Sequence, residues 1–250
     1  MDRRVFTKDM MATVTSFALM DSLFAFNGIA SKIKPLTDHW SIQLNEFCSD
    51  LRTDSITVVQ WQEKIEELYA QIELEEILKF IQFEQLIKGF QYPDLGVATR
   101  KVTFPKLIGL PANTIYVKKI FGMKKDRAII PHGHSNMASA HLILKGEMHL
   151  RHYEKIAQDE QHLLIKPSID KIAKLGESSS ISDEKDNIHW FIANSPTAFT
   201  FDVIMLDLNN KLYDIHNLDI YAAEDVKNGM LRVPMLDVGT ALEKYGKHHH

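Results

Sequence analysis

One cysteine, Cys48, is all the sulfhydryl chemistry that 250 residues provide. That excludes an internal disulfide and any cysteine-based zinc framework, so a metal site in this chain must be built from histidine and carboxylate. Basic clusters are missing too. Lysine and arginine are scattered, the formal net charge is -4, and nothing has the electrostatic footprint of a nucleic-acid partner. There is no internal repeat, no low-complexity tract and no apolar run long enough for a comfortable membrane span. Histidine is almost absent from the first half, where His39 stands alone before residue 130. What is present is a 45% hydrophobic, 25% charged composition, enough to bury a full core in one globular domain with a helical appendage.

The first thirty residues read separately. Arg3, Arg4, Phe6 and Lys8 precede an apolar stretch from Met11 to Phe26, interrupted by Asp21, and Gly28-Ile29-Ala30 follows. This resembles a twin-arginine export signal, which would place the mature chain in the periplasm. The alternative is an amphipathic helix retained on a cytoplasmic protein. The final Lys247-His248-His249-His250 resembles a purification tag or a frayed end and is set aside.

From Leu36 to about Phe90 the spacing predicts helices. Ile65, Leu68, Tyr69 and Ile72 fall at i, i+3, i+4 and i+7, and Leu74, Ile77, Leu78 and Ile81 repeat that spacing after a two-residue slip, which predicts a break between them. Asp54, Ser55 and Thr57 offer N-caps for the second helix. Such helices cover a sheet or form a homodimer contact. From Thr99 the pattern becomes short β-rich runs: Thr114 to Phe121, Arg127 to Pro131, Ala140 to Tyr153, His162 to Lys166, Ile188 to Ala193 and Ala198 to Leu208. Gly176 to Ser180 and Asp183 to Asp186 read as turns. Strands without intervening helices predict a mainly β sandwich or barrel, followed by a last helix from Val238 to Tyr245. The expected organisation is an export segment over 1–30, helices over 31–95, a barrel over 96–235, and a terminal helix and tail over 236–250.

Eight of the remaining histidines lie between His132 and His216. In a strand, alternate side chains share a face, so His132 and His134 can offer two ring nitrogens to one ion. A third donor must come from another strand, and His189, flanked by Ile188 and Trp190 on the opposite face, is the natural candidate. His141 has two readings: part of a solvated polar face, or a fourth ligand. His149 and His152 read as structural or exposed.

These residues bring in a family. His132-Gly133-His134, with Gly146 twelve residues after His134, matches the first cupin motif, and His189 takes the place of the histidine in the second. Within the cupins the chain most resembles the plant cysteine oxidases and aminoethanethiol dioxygenases. The likeness runs through His134-Ser135-Asn136-Met137 to Gly146, Met148, His149 and Tyr153, then through Asn187-Ile188-His189, Phe191, Ser195-Pro196-Thr197-Ala198 and Phe201-Asp202-Val203. It covers roughly residues 127–207.

The resemblance implies a cupin double-stranded β-helix, or jelly-roll barrel, holding a divalent metal on His132, His134 and His189. The implied ion is mononuclear Fe(II), with zinc or nickel as alternatives. A small thiol and dioxygen would be the substrates and a sulfinate the product. Asp202 matches an acidic residue that orients a substrate amine or a ligand histidine, and Tyr153 matches a family tyrosine. Position 139, where many cupins place a ligand glutamate, is serine. Two other readings stand beside the thiol dioxygenase: an exported cupin that binds a metal or small ligand without turnover, and a metal-dependent cupin enzyme with a different substrate.

Overall fold

The computed structural model describes residues 36–248; the export-signal reading of residues 1–30 lies outside them. Among the described residues four helices come first: α1 (Leu36–Arg52), α2 (Val58–Ala70), α3 (Leu74–Phe80) and α4 (Phe83–Ile87). The slip in the apolar stripe corresponds to the interruption between Ala70 and Leu74. Of the three offered caps, Thr57 is used: its hydroxyl accepts from Gln60 N, and the Gln60 side chain accepts from Thr57 N. This reciprocal pair satisfies two of the donors that a helix start leaves orphaned.

Twelve strands follow: β1 (Ala98–Lys101), β2 (Val117–Lys124), β3 (Ala128–Ser135), β4 (Ala138–Lys145), β5 (Met148–Gln158), β6 (His162–Ala173), β7 (Ser178–Ser182), β8 (Ile188–Ala193), β9 (Thr197–Met205), β10 (Asp214–Leu218), β11 (Glu224–Val226) and β12 (Met230–Leu236). One sheet has the order β1-β2-β9-β4-β7, the other β10-β3-β8-β5-β6-β12-β11. Along the chain β2, β4, β7 and β9 of one sheet interleave with β3, the β5–β6 hairpin and β8 of the other, which is the double winding of a jelly roll. The fold is mainly β, a double-stranded β-helix preceded by helices. An added β10–β12 pairing closes the second sheet into a ring. Helix α5 (Val238–Tyr245) ends the described chain, where the sequence places it. Among the described residues no helix is long and apolar enough to cross a membrane.

The N-terminal helices lie over the first sheet. Trp40, Leu44, Trp61 and Ile65 share a core with Ala140, Leu142, Phe199, Phe201 and Val203. These strand residues face the helices, so their neighbours His141, Thr200 and Asp202 face the barrel interior. Two sequence expectations change here. The run Ala140 to Tyr153 is two strands, turned at Gly146, whose φ of +75° and close approach to Thr197 O suit only glycine. The predicted turn at Gly176 to Ser180 enters a strand at Ser178. Its serines carry no apolar signal, but helix α2 supplies their partners: Ser182 donates to Gln62 Oε1 at 2.6 Å and Ser180 to Glu66 Oε1 at 2.6 Å.

Candidate metal centre

Strand β3 carries Pro131 just before the two histidines. Proline has no N–H to give the ladder, and the β3–β8 register shifts between Ile129 and His132, a bulge of the kind that re-aims side chains. Beyond it, His132 stands opposite His189, and His134 lies one same-face step further along. Between them, Gly133 leaves room for Asn187, whose Oδ1 would sit 2.8 Å from any Cβ placed there. Asn187 fills that room as a backbone surrogate. Its Oδ1 accepts from His134 N, and its Nδ2 donates to His134 O and Ser182 O, each at 3.0 Å. The strand bearing His134 is thereby pinned to the loop before His189.

The three rings converge. Centroids are separated by 4.6 Å for His132 and His134, 4.3 Å for His132 and His189, and 5.1 Å for His134 and His189. One ligand nitrogen from each lies within 4.8 Å of the other two. His132 Nδ1 donates to Ile130 O at 2.7 Å, which fixes the tautomer and leaves Nε2 with its lone pair. Both ring nitrogens of His134 and Nδ1 of His189 are buried without a partner. Desolvation, the largest cause, pushes the His132 imidazolium down to about 4. It holds His134 and His189 well below the ordinary histidine range, with the other histidines adding to the effect. Buried neutral imidazoles with unpartnered nitrogens, gathered at one point, are costly unless something binds them. This donor set fits a divalent ion.

The centre opens on a cavity of about 220 Å³, smaller than the roughly 300–1,000 Å³ pockets that hold drug-sized ligands. Val117, Phe121, Ile129, Met137, Ile204 and Leu206 make its apolar wall, and Lys119, Ser139, His141, Asp202 and Tyr213 its polar points. Ser139, at the position where a ligand glutamate would stand, is buried with its hydroxyl unpartnered.

His141 and Asp202 meet across β4 and β9, where they stand opposite each other. His141 Nδ1 bonds Asp202 Oδ2 at 2.7 Å, both side chains are almost wholly buried, and His141 Nε2 has no partner. The His141 ring is 5.0 Å from that of His189 and lies outside the three-donor group. His141 is therefore not part of a solvated polar face: its side chain looks inward. Tyr153 lies on the other side of its sheet. It packs with Leu163, Ile165, Ile188, Leu218 and Val233 in the core of the closed ring and does not line the cavity.

Two further residues stand near the centre: His152, read from the sequence as structural or exposed, and Lys119, which the sequence did not single out. His152, opposite His189 on β5, is fully buried with both ring nitrogens unpartnered, and desolvation pushes it down to about 3. Lys119 reaches the cavity because β2 places Val117, Lys119 and Phe121 on its inner face. Knowing that β2 lies between β1 and β9 would have identified it.

No protein-family model matches the chain, and no curated protein matches it. Solved structures do. An 11S globulin from Wrightia tinctoria is 12% identical over 36% of this chain and 20% of its own, with a TM-score of 0.29. An oxalate oxidase in complex with glycolate is 12% identical over 45% and 52%, at 0.34. KdgF from Halomonas sp. is 12% identical over 47% and 88%, at 0.33. The chain spans 20% and 28% of the two 11S globulins it matches. At these scores the fold assignment rests on the strand order, not on the likeness. Fold and site together define a jelly-roll barrel with a three-histidine centre suited to a divalent metal.

Proposed function

We propose that the chain is a mononuclear non-haem iron dioxygenase that oxidises a small thiol to a sulfinate. The donor set carries the reading: three imidazoles held neutral by burial, with no carboxylate among them, at the end of a small, largely apolar cavity. Neutral donors leave a divalent ion its full charge, which favours an anionic sulfur beside it. A ferrous ion held there supplies thiol acidification and dioxygen activation. In the net reaction both oxygen atoms of dioxygen pass to sulfur, which loses four electrons, and no other reductant is consumed.

The remaining roles belong to the chain. Asn187 keeps His134 in register, and Pro131 with its bulge aims His132. Val117, Phe121, Met137 and Leu206 exclude water from the reacting sulfur. Asp202 fixes His141 with Nδ1–H toward the carboxylate, so that Nε2 presents an acceptor to the cavity and takes a hydrogen bond from the substrate. Oxygen consumption by the reduced, iron-loaded protein tests this, with cysteine, cysteamine and a peptide bearing an N-terminal cysteine as substrates. The product should gain two oxygen atoms by mass. No uptake with any of the three at full ferrous occupancy overturns the reading.

A further inference from the structure

Lys119 is the cationic point of the cavity, and the three-histidine centre leaves it unused. Its neighbours along the inner face of β2, Val117 and Phe121, are apolar. Among the described residues lining the cavity it is the only lysine or arginine, and no hydrogen bond or ion pair from them holds its ammonium. The obvious counter-ion is Asp202, which stands opposite it across β2 and β9. That carboxylate bonds His141 through Oδ2 and its Oδ1 has no hydrogen-bond partner, yet no hydrogen bond or ion pair joins it to Lys119. The adjacent Lys118, by contrast, faces the helices, where its ammonium bonds Thr114 and lies over the Phe104 and Tyr116 rings. Lys119 is half-buried beside an apolar wall, and a carboxylate bound in the cavity would give its ammonium a charge-assisted hydrogen bond.

We propose that Lys119 binds a carboxylate of the substrate, so that the molecule taken into this cavity is a small organic acid. On the oxygenase reading, on which this identification of the substrate's other end rests, it is a thiol acid. The cavity size agrees, since about 220 Å³ suits a molecule of few carbons better than a drug-sized ligand. Charge agrees as well. A divalent ion and Lys119 together outweigh the single carboxylate of Asp202, and a substrate carrying thiolate and carboxylate brings the cavity toward balance. Lysine offers a compact charge with three donors, which places no demand on the orientation of the bound acid.

Calorimetric titration with 3-mercaptopropionate and with its uncharged methyl ester tests the assignment, on metal-free and on zinc-reconstituted protein, neither of which turns over. The acid should bind about tenfold or more tightly than the ester, as a charge-assisted hydrogen bond implies. Lys119→Met should abolish that preference and Lys119→Arg should retain most of it. Equal binding of acid and ester by the parent protein, binding of neither, or a preference that survives Lys119→Met overturns the proposal. The parent comparison and Lys119→Arg decide it even if Lys119→Met does not fold. Oxygen uptake by the ferrous form is read separately. A Lys119-dependent preference for the acid without oxygen uptake removes the oxygenase reading and leaves the acid site standing.

Discussion

Asp202 shows how one residue's partner decides its work. Its Oδ2 accepts from His141 Nδ1, and a carboxylate in that place holds an imidazole in one tautomer and one orientation. Asp202→Asn should keep the metal, because the three donors come from other positions, and should lower thiol turnover on the order of 10- to 100-fold, the usual effect of an outer contact. Metal content and oxygen uptake on the same sample check both halves. The histidines themselves predict a pH dependence. In the unfolded chain they take up a proton near 6.5, whereas His132 does so at about 4 and His152 at about 3 when folded. As pH falls through 6.5 the unfolded state binds protons first, so the stability these histidines contribute declines from there down to the folded values and is gone below them. The metal-free protein should therefore melt at progressively lower temperature between pH 7 and pH 4. Replacing His152 by Phe should shallow that slope.

At the scale of elements, the polar strand β7 depends on helix α2. Gln62 is buried, its Oε1 accepts from Ser182, and its Nε2 donates to Ser180. Gln62→Ala would leave those hydroxyls short of partners beneath the helix. The expected cost is about 1–3 kcal/mol, read as a lower denaturant midpoint at unchanged slope. The dependence also explains why β7 was hidden in the sequence. Ser178 to Ser182 has turn composition; its backbone pairs with β4, and the partners of its hydroxyls come from a helix more than a hundred residues earlier. Strands β10 to β12 were missed for a related reason. They follow the last strong apolar run, β11 is exposed throughout, and β10 and β12 are each buried at a single position. The run from Ala140 to Tyr153 reads as one strand, but the turn at Gly146 divides it and reverses which residues face inward, so alternation counted straight through could not place His141.

The whole molecule was legible wherever chemistry and strand period coincide. His132, Gly133 and His134 on one strand and His189 on another need only alternation to converge, and the jelly roll brings those strands side by side. Lys119 and the partnership of Asp202 with His141 were not legible, because each depends on pairing between distant strands, which no local pattern encodes. Helices over one sheet and α5 against the Trp190 side of the other leave the cavity mouth near Tyr213 and Ile215 as the accessible side, both of which are exposed. The central claim is that this barrel exists to hold a metal at three neutral histidines. The most direct test is the metal content per chain, measured on protein purified without an affinity tag and with His248, His249 and His250 replaced. The account predicts about one divalent ion per chain, most of it lost in each of His132→Ala, His134→Ala and His189→Ala, with the fold retained. Full occupancy in all three variants, or a parent protein that takes up no stoichiometric ion on reconstitution, would contradict it.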